Sequence, residues 1–348
     1  MKQLYNRVNR DILKKQVSES NIPRKVLSFY RYAHIQDPRE FRDAFYAGLE
    51  ELGVLGRIYI AREGVNGQIS VPEQSLGQLR EYMDTIPFLG DLRLNLAIRH
   101  DPDSFYKLTV KVRKKIVADG LDDDSFDVTN RGQHLDATGF NELTERGETI
   151  VVDMRNHYES EIGHFENAVC PDVETFRDAL PHVVDMLSDQ KEKPIVMYCT
   201  GGIRCEKASA YLKHNGFSQV YQLDGGIIEY ARQVKSLGLE NKFRGKNFVF
   251  DERLGERISE EVISNCHQCG APCDTHVNCA NDACHILFIQ CPDCAGKFQG
   301  CCSDKCADFS QLPIDEQKAK RKTEIFNGTK FGKGRYRANR KQAPVITT

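Results

Sequence analysis

The sequence predicts a mixed α/β protein that is divided into several domains. Three observations predict this: short β-branched and aromatic runs alternate with helical periodicity, a polar stretch separates two such blocks, and ten of the thirteen cysteines lie between Cys266 and Cys306. A chain of 348 residues is long enough for two or three domains. Hydrophobic residues at 40% and charged residues at 28% are typical of globular proteins, which argues against a fibrous or wholly disordered chain.

The first block predicts a ferredoxin-like domain over residues 1–118. Apolar and aromatic runs predict strands, and apolar residues at helical spacing predict helices that Gly53 and similar breakers end. The order is roughly β-α-β-β-α-β, which is that of a small ferredoxin-like sandwich. The predicted strands are 26–32, 57–61, 68–71, 92–98 and 106–112, and the predicted helices are 37–52 and 73–85.

The second block, residues 132–240, follows a polar linker at 119–130 and predicts a doubly wound parallel sheet. Strands and helices alternate along it, which is the pattern of parallel strands covered by helices on both faces. The predicted strands are 149–153, 195–198 and 219–223, and the predicted helices are 174–189 and 207–213.

A cysteine-rich module is predicted for residues 241–310, and a basic, disordered tail for residues 311–348. The tail interleaves aromatic residues with basic ones, which suits contacts with phosphates and bases but equally suits a solvated terminus. Arg62 and Asn66, beside a glycine turn, are a second candidate surface for nucleic acid. The basic residues of the tail are Lys318, Lys320, Arg321, Lys322, Lys330, Lys333, Arg335, Arg337, Arg340 and Lys341, and the aromatic ones are Phe326, Phe331 and Tyr336.

Cys199 is the predicted nucleophile. It follows a buried strand and precedes a glycine-containing loop and a helix, so backbone N–H groups and a helix N-terminus should surround whatever the loop encloses. Such surroundings lower a thiol pKa and favour the reactive thiolate, and Arg204 should add positive charge to this anion cradle. The loop itself consists of Thr200, Gly201, Gly202 and Ile203.

Cys205 and the loop length bear on what kind of chemistry is expected. Cys205 could resolve an oxidised or persulfidated Cys199, or it could simply begin the following helix. Tyrosine phosphatases place five residues between their loop cysteine and arginine, whereas four separate Cys199 from Arg204. The shorter loop favours a sulfur species over a phosphoryl group.

Residues 149–230 resemble a rhodanese domain. The resemblance is carried by an Asp153-Met-Arg155 segment, the Gly163-His164 element, the Cys199 loop and a closing Gly225-Gly226 pair. It implies that the loop cysteine carries a persulfide. Asp153 and Arg155 are expected to be structural. His164 could act as a base, but a fold-stabilising role is favoured.

The resemblance extends to the bacterial rhodanese-domain tRNA uridine hydroxylases over nearly the whole chain up to about Cys306. Matching segments include 28–32, 63–70, 110–113, 116–120, 153–159, 199–207 and 245–253. This family implies oxygen-dependent hydroxylation of the wobble uridine, position 34, of tRNA to 5-hydroxyuridine. Two alternatives stay open from the residues: a sulfurtransferase that passes a persulfide to an acceptor, and a non-catalytic RNA-binding protein.

The cysteine cluster predicts structural zinc. Two C-x2-C pairs, Cys266/Cys269 and Cys291/Cys294, are spaced as in zinc ribbons. An iron–sulfur cluster and a redox disulfide array are the alternatives, and His267, His276 or His285 could replace a cysteine. The remaining cysteines could build a second site: Cys273, Cys279, Cys284, Cys301, Cys302 and Cys306.

The expected setting is the cytoplasm, with tRNA and molecular oxygen as substrates. The N-terminus lacks an apolar segment of signal-peptide length, and no apolar run approaches the length of a membrane span. No flavin, haem or nicotinamide motif is seen in the sequence. The sequence does not indicate protein partners, the reductant or the oligomeric state.

Overall fold

The computed structural model describes residues 8–121, 127–321, 323–328 and 335–336. A helix precedes the first domain, and five strands of that domain form one sheet with two helices. These elements are α1 (Arg10–Ser20), β1 (Arg24–Tyr32), α2 (Pro38–Glu51), β2 (Leu55–Ala61), β3 (Gly64–Pro72), α3 (Leu76–Asp84), β4 (Asn95–Leu96) and β5 (Leu108–Val112).

The first sheet has the order β4-β1-β3-β2-β5, which confirms the predicted ferredoxin-like arrangement. The predicted strand 106–112 is β5, which lies at the sheet edge parallel to β2. Alternate residues of its strands, such as Phe29, Ile58 and Ile69, pack against α2 and α3 in one core. The residues between them point to the opposite face. That face carries polar and aromatic side chains and lies against the second domain.

Two parts of the first domain differ from the predictions. The predicted strand 92–98 pairs only at Asn95 and Leu96, because only these two residues meet β1 at the sheet edge. Leu92 and Leu94 are nevertheless buried in the core. The alternation of apolar residues therefore indicated correctly which residues are buried, although most of the segment does not pair as a strand. Helix α1 was not predicted; its mean hydropathy is low, and Leu13 is a buried residue on it.

The second domain is a four-stranded, all-parallel sheet of order β6-β10-β9-β7 with helices on both faces, as predicted. Ile195 and Met197 of β9 pack into one core, whereas Val196 and Tyr198 pack into the other. Strand β6 was not predicted, since it has only three residues and two of them, Gln133 and His134, are polar. The elements are β6 (Gln133–Leu135), α4 (Ala137–Glu145), β7 (Ile150–Asp153), α5 (His157–Ser160), β8 (Gly163–Phe165), α6 (Phe176–Met186), β9 (Ile195–Tyr198), α7 (Ile203–His214), β10 (Val220–Leu223) and α8 (Gly226–Leu237).

A small antiparallel sheet links the second domain to the cysteine-rich module. Strands β11 (Phe243–Asn247) and β12 (Glu256–Arg257) pair with each other, and β11 also pairs with β8. Beside it, Arg155 is fully buried and donates to both oxygens of Asp153 and to the Gly163 carbonyl. The Asp153–Arg155 pair therefore holds the end of β7 against β8, which is the structural role expected of it.

The cysteine-rich module has little regular structure. It contains the hairpin β13 (His276–Asn278) and β14 (Leu287–Ile289) and the short helices α9 (Pro292–Lys297) and α10 (Asp304–Gln311). One of its two apolar clusters consists of five cysteines with Ile286, Phe288, Phe309 and Phe326. Since cysteine makes up more than half of that cluster, the module has few other apolar residues to stabilise it.

The first part of the predicted basic tail is helical, not disordered: α11 covers Ile314–Lys320 and includes Lys318 and Lys320. Further on, Arg335 forms an ion pair with Asp172. Tyr336 stacks on His267 and on Phe288. The other tail residues of interest lie outside the described residues: Lys322, Lys330, Phe331, Lys333, Arg337, Arg340 and Lys341. Within the described residues, no helix is long and apolar enough to cross a membrane.

Candidate active site

The Cys199 loop joins the buried strand β9 to helix α7. The helix begins at Ile203, four residues earlier than predicted, because the loop turns into it directly at Gly202. Gly202 has a φ of 96°, a conformation that other residues rarely adopt. This sharp turn sets the N-terminus of α7 beside the Cys199 sulfur.

The closing glycine pair holds the loop in place from α8. Ile227 and Ile228 donate backbone hydrogen bonds of 3.0 and 3.2 Å to the carbonyls of Cys199 and Thr200. A Cβ on Gly226 would lie 2.4 Å from the Cys199 carbonyl oxygen, so only glycine permits this approach. The Gly225-Gly226 motif therefore fixes the backbone of the reactive loop.

The surroundings of Cys199 favour its thiolate form. Its side chain is buried, and the Gly202 N–H donates to its Sγ at 3.1 Å. Burial alone would raise its pKa, but a hydrogen bond from the Cys205 thiol, the charge of Arg204 and the N–H groups of Arg204 and Cys205 lower the pKa to about 6. The thiolate is therefore the main form at neutral pH.

Cys205 is buried behind Cys199. Burial raises its pKa well above the usual value, and its hydrogen bond to Cys199 and the charge there act in the same direction. It is therefore a protonated donor to its neighbour. Its role in resolving an oxidised or persulfidated Cys199 stays a prediction.

The Arg204 guanidinium lies beside the loop and is paired with a carboxylate. It donates two parallel hydrogen bonds, 2.7 and 2.8 Å long, to the carboxylate of Glu159. Glu159 is fully buried, and despite that burial Arg204 lowers its pKa, so the pair is ionic. Arg204 thus supports the thiolate by its charge, while two of its hydrogen bonds go to Glu159 and a third, 3.4 Å long, goes to Thr200 Oγ1 of the loop.

A second buried carboxylate lies next to the loop on α7. Glu206 accepts hydrogen bonds from Tyr30 at 3.0 Å and from Arg131 at 2.6 Å, and its other neighbour is His134. Although burial opposes it, His134 and Arg131 lower the pKa of Glu206 to about 2. This cluster ties β1 of the first domain to α7 of the second.

A third ionic cluster joins the same two domains. Lys207 is almost fully buried and pairs with Glu63, 2.6 Å away, and with Asp119. Glu63 also accepts from the Ile116 N–H at 2.6 Å. Removing one member of such a buried cluster would leave an uncompensated charge, so the cluster fixes how the domains pack.

Between the two domains lies a cavity of about 540 Å³. The Cys199 loop forms one wall and the polar face of the first sheet forms the opposite one. The lining residues include polar and charged side chains and the loop itself: Ser28, Tyr30, Arg57, Tyr59, Asn66, Gln68, Asn95, Asn156, Cys199, Thr200, Gly201, Arg204, Arg253 and Glu256. Asn66 is therefore in the cavity wall, as its proposed contact with nucleic acid would require, whereas Arg62 is not.

His164 is not part of the cavity wall. Its Nδ1 lies 3.0 Å from the carbonyl of Ser160, and its strand pairs with β11. This placement agrees with a fold-stabilising histidine and gives it no contact with Cys199.

The cysteine-rich module gathers its thiols into two groups of four. In each group the sulfur atoms all lie within 4.8 Å of one another. The first group contains both C-x2-C pairs, and the second contains four of the six remaining cysteines. The groups are Cys266, Cys269, Cys291 and Cys294, and Cys279, Cys284, Cys302 and Cys306.

The donor set of both groups fits a tetrahedral metal ion. All thirteen cysteines are free thiols, and backbone N–H groups point at the clustered sulfur atoms, as with Cys291 N to Cys266 Sγ at 3.4 Å and Gly328 N to Cys284 Sγ at 3.3 Å. Such hydrogen bonds stabilise thiolates, the form that binds metal. Cys273 and Cys301 lie outside both groups. Neither group includes a histidine: His267 instead lies 2.8 Å from Glu161.

Three residues beside the loop were not singled out in the sequence: Glu159, Glu206 and Asn95. Glu159 and Glu206 lie in the matching segments 153–159 and 199–207, but nothing in those segments marks them as partners at the site. Glu159 lies 45 positions from its partner Arg204. A possible signal for Glu159 was the Asn156-x-x-Glu159 capping pattern, which marks a helix start but not a partner for Arg204.

Three protein families match consecutive parts of the chain. The UPF0176 acylphosphatase like domain matches residues 24–116, the rhodanese-like domain matches residues 136–233, and the rhodanase C-terminal family matches residues 244–307. These agree with the three parts described above. Among solved structures, a rhodanese-like domain from an Anabaena species is 24% identical, covers 32% of this chain and 78% of that chain, and gives a TM-score of 0.26.

Relatives match nearly the full length. A protein of Enterobacter sp. (strain 638) named tRNA uridine(34) hydroxylase is 52% identical over 340 residues, which cover 97% of each chain. Proteins of the same name from Leptospira interrogans and Pectobacterium carotovorum are each 54% identical. The former covers 96% of this chain and 91% of that chain, and the latter covers 94% of each.

Proposed function

The chain belongs to the tRNA uridine(34) hydroxylase family, and from that premise we propose that it hydroxylates C5 of uridine 34 in tRNA with Cys199 as the reacting group. The observation that carries the role of Cys199 is a buried thiol with a pKa lowered to about 6 in the wall of an interdomain cavity. The names of the relatives favour hydroxylation over the sulfurtransferase and the non-catalytic alternatives.

The proposed step uses the thiolate to activate the ring. Cys199 Sγ adds to C6 of the uracil, so a C6–S bond forms and the C5=C6 electron pair moves onto C5 and O4. C5 then bonds to one oxygen atom of the oxidant. Loss of the C5 proton expels the thiolate and restores the double bond, which gives 5-hydroxyuridine.

Molecular oxygen is the proposed oxidant. One of its atoms enters the base, and the other leaves as water after taking up two electrons and two protons from a reductant. The loop contributes by stabilising the thiolate through the Gly202 N–H and the Cys205 thiol. When the C6–S bond breaks, the Cys199 thiolate accepts the same hydrogen bonds again. A persulfide on Cys199 would occupy the same N–H groups, but the group that adds to C6 is the thiolate.

Substrate tRNA is proposed to approach over the first sheet. Arg57 lies at the cavity wall and is exposed, and Lys111 and Arg113 follow on the neighbouring strand and just beyond it. The Arg113 guanidinium lies over the Tyr59 ring, 5.5 Å from its centroid. Basic and aromatic side chains of this kind bind phosphates and stack on bases. A tRNA substrate also supports the cytoplasm as the location.

Structural zinc is proposed for both four-cysteine groups. A tetrahedral site of four thiolates is the preferred structural environment of zinc, which would supply the folding energy that the small apolar clusters lack. The metal would hold the hairpin β13–β14 to the helices α9 and α10. No catalytic step is assigned to it.

The test uses purified protein, tRNA that lacks the modification, a reductant and ¹⁸O₂. Wild type is expected to form 5-hydroxyuridine two mass units heavier than with ordinary oxygen, as measured by nucleoside mass spectrometry. Cys199→Ser should form none, whereas Cys170→Ser, which alters a half-buried thiol elsewhere in the second domain, should be as active as wild type. Full activity of Cys199→Ser, or label entering from water, would contradict the proposal.

A further inference from the structure

Asn95 is an unusual residue in the cavity wall. Its side chain is 97% buried, being 3% exposed, and its Oδ1 has no hydrogen-bond partner among the residues that the structure describes. A buried amide oxygen without a hydrogen-bond donor is unfavourable, so in native proteins such an atom generally accepts a hydrogen bond from a ligand or an ordered water. Asn95 therefore marks a place where a ligand with an N–H or O–H group would bind.

The fold explains why Asn95 points into the cavity. It lies on β4, where it pairs with Ser28 of β1, and its neighbours Leu94 and Leu96 pack into the core of the first domain. Successive side chains of a strand point to opposite faces. Because the two leucines take the core side, Asn95 takes the side that faces the second domain.

Asn95 lies directly opposite the reactive loop. A Cβ built on Gly201 would be 3.9 Å from Asn95 Nδ2 and 3.7 Å from Ser28 Oγ. Gly201 comes two residues after Cys199, so the Asn95 amide and the thiolate line the same end of the cavity. A base whose edge meets the Asn95 amide would therefore lie beside the Cys199 loop.

Two further wall residues also lack a donor. Glu256 is 2% exposed, and neither its Oε2 nor Asn156 Oδ1 has a partner within the described part of the chain. The three orphaned wall atoms, Asn95 Oδ1, Asn156 Oδ1 and Glu256 Oε2, are all acceptors. The cavity therefore suits a ligand that brings N–H and O–H donors, such as a nucleotide with a free imide and ribose hydroxyls.

We propose that Asn95 is the residue that binds the imide edge of the target uracil. Uracil offers N3–H as a donor between two carbonyl acceptors, and an asparagine amide offers an acceptor beside a donor. Asn95 Oδ1 accepts from N3–H, and its Nδ2 donates to the neighbouring carbonyl oxygen. Cytosine has no hydrogen on N3, so it cannot donate to Oδ1 from that position; its base-edge donor is the exocyclic N4 amino group, which lies at a different place on the ring. This inference rests on the proposed function, and it adds the base-specific contact to it.

The test combines a change in the protein with a change in the substrate. Anticodon stem-loops carrying either uridine or 3-methyluridine at position 34 are offered to wild type and to Asn95→Ala, and kcat/KM is measured from nucleoside mass spectrometry. The methyl group removes N3–H. Wild type should therefore prefer uridine strongly, and Asn95→Ala should lose roughly 10- to 100-fold on uridine, the usual worth of a two-point contact to a base edge.

The deciding quantity is the ratio of the two substrates. If Asn95 binds N3–H, the preference for uridine over 3-methyluridine should fall at least about tenfold in Asn95→Ala. Asn130→Ala, at an exposed turn between the domains, is the control and should keep the wild-type ratio. The alkylation rate of Cys199 with iodoacetamide should match wild type in all variants, which shows that the loop is intact.

The outcomes separate the two proposals. Wild-type activity with the same substrate ratio in Asn95→Ala overturns the role of Asn95 and leaves the hydroxylase proposal standing. No 5-hydroxyuridine from wild type overturns both. An altered alkylation rate in Asn95→Ala would mean that Asn95 acts by holding the loop, which also contradicts the inference.

Discussion

The Cys199 loop and the cysteine-rich module both bury thiols, but they surround them with different partners. Cys199 stands among N–H groups, one protonated thiol and the charge of Arg204, and its backbone is fixed from α8. In the module, each clustered sulfur has three other sulfur atoms within 4.8 Å. A single thiol surrounded by hydrogen-bond donors becomes a nucleophilic thiolate, whereas four thiols close together form a site for a metal ion.

This difference gives a direct way to separate the two regions by their response to metal. Cys294→Ser is expected to lower bound zinc from two ions per chain to one and to unfold the module around the first group. Structural zinc is worth about 10–16 kcal/mol of binding free energy in small domains, so this is the largest expected effect. Elemental analysis together with thermal unfolding measures it.

Cys273→Ser is the matched control, because Cys273 lies in the same module but outside both groups. It should keep both ions and nearly the wild-type Tm. Equal metal content in Cys294→Ser and Cys273→Ser would contradict the assignment of the ligands.

The loop should respond to the loss of a single donor instead. Cys205→Ala removes the thiol hydrogen bond that stabilises the Cys199 thiolate, so the pKa of Cys199 should rise. If it rises by one unit, the thiolate fraction at pH 6 falls roughly fivefold. The rate of alkylation by iodoacetamide against pH measures this, and an unshifted profile would show that Cys205 does not donate to Cys199.

A smaller shift is expected when Arg204 loses its charge. Arg204→Gln should raise the pKa of Cys199, whereas Arg204→Lys should keep it near the wild-type value, since the Arg204 charge lowers it. Both variants disturb the two hydrogen bonds to Glu159, so both should lose stability. Identical alkylation profiles in the two variants would mean that the charge has no part in stabilising the thiolate.

The sign of the pH dependence in wild type follows from the same pKa. Because the Cys199 pKa is lowered to about 6, alkylation should increase as pH rises through 6 and level off above pH 7. Cys205, whose pKa is raised, should not react in this range. A midpoint near the ordinary thiol pKa would contradict the description of the loop.

Local patterns explain what could be predicted from the sequence. Strands β7, β9 and β10 of the parallel sheet and the Cys199 loop follow from contiguous residues, since a buried run followed by a glycine loop is a local signal. Both C-x2-C pairs fall in one group as expected. The exclusion of Cys273 and Cys301 could not be read from spacing, because it depends on which cysteines the β13–β14 hairpin and α10 bring together.

Contacts between segments far apart in the chain explain what could not be predicted. The carboxylate that accepts two hydrogen bonds from Arg204 comes from α5 of the same domain, and nothing near Arg204 in the sequence indicates it. In the sequence, Asn95 is one polar residue of a predicted strand with alternating polarity. Its place in the cavity wall becomes evident only once the second domain covers that face of the sheet. The cavity itself exists only between the two domains, so no single segment indicates it.

The most direct test of the central claim is nucleoside mass spectrometry of tRNA from a strain that lacks this protein and carries either wild type or Cys199→Ala. We expect 5-hydroxyuridine and nucleosides derived from it to be absent in the deletion and restored by wild type alone. If Cys199→Ala restores them as well, Cys199 is not the reacting group. If they are unchanged throughout while thiolated nucleosides fall, the loop carries sulfur and the proposed hydroxylation is wrong.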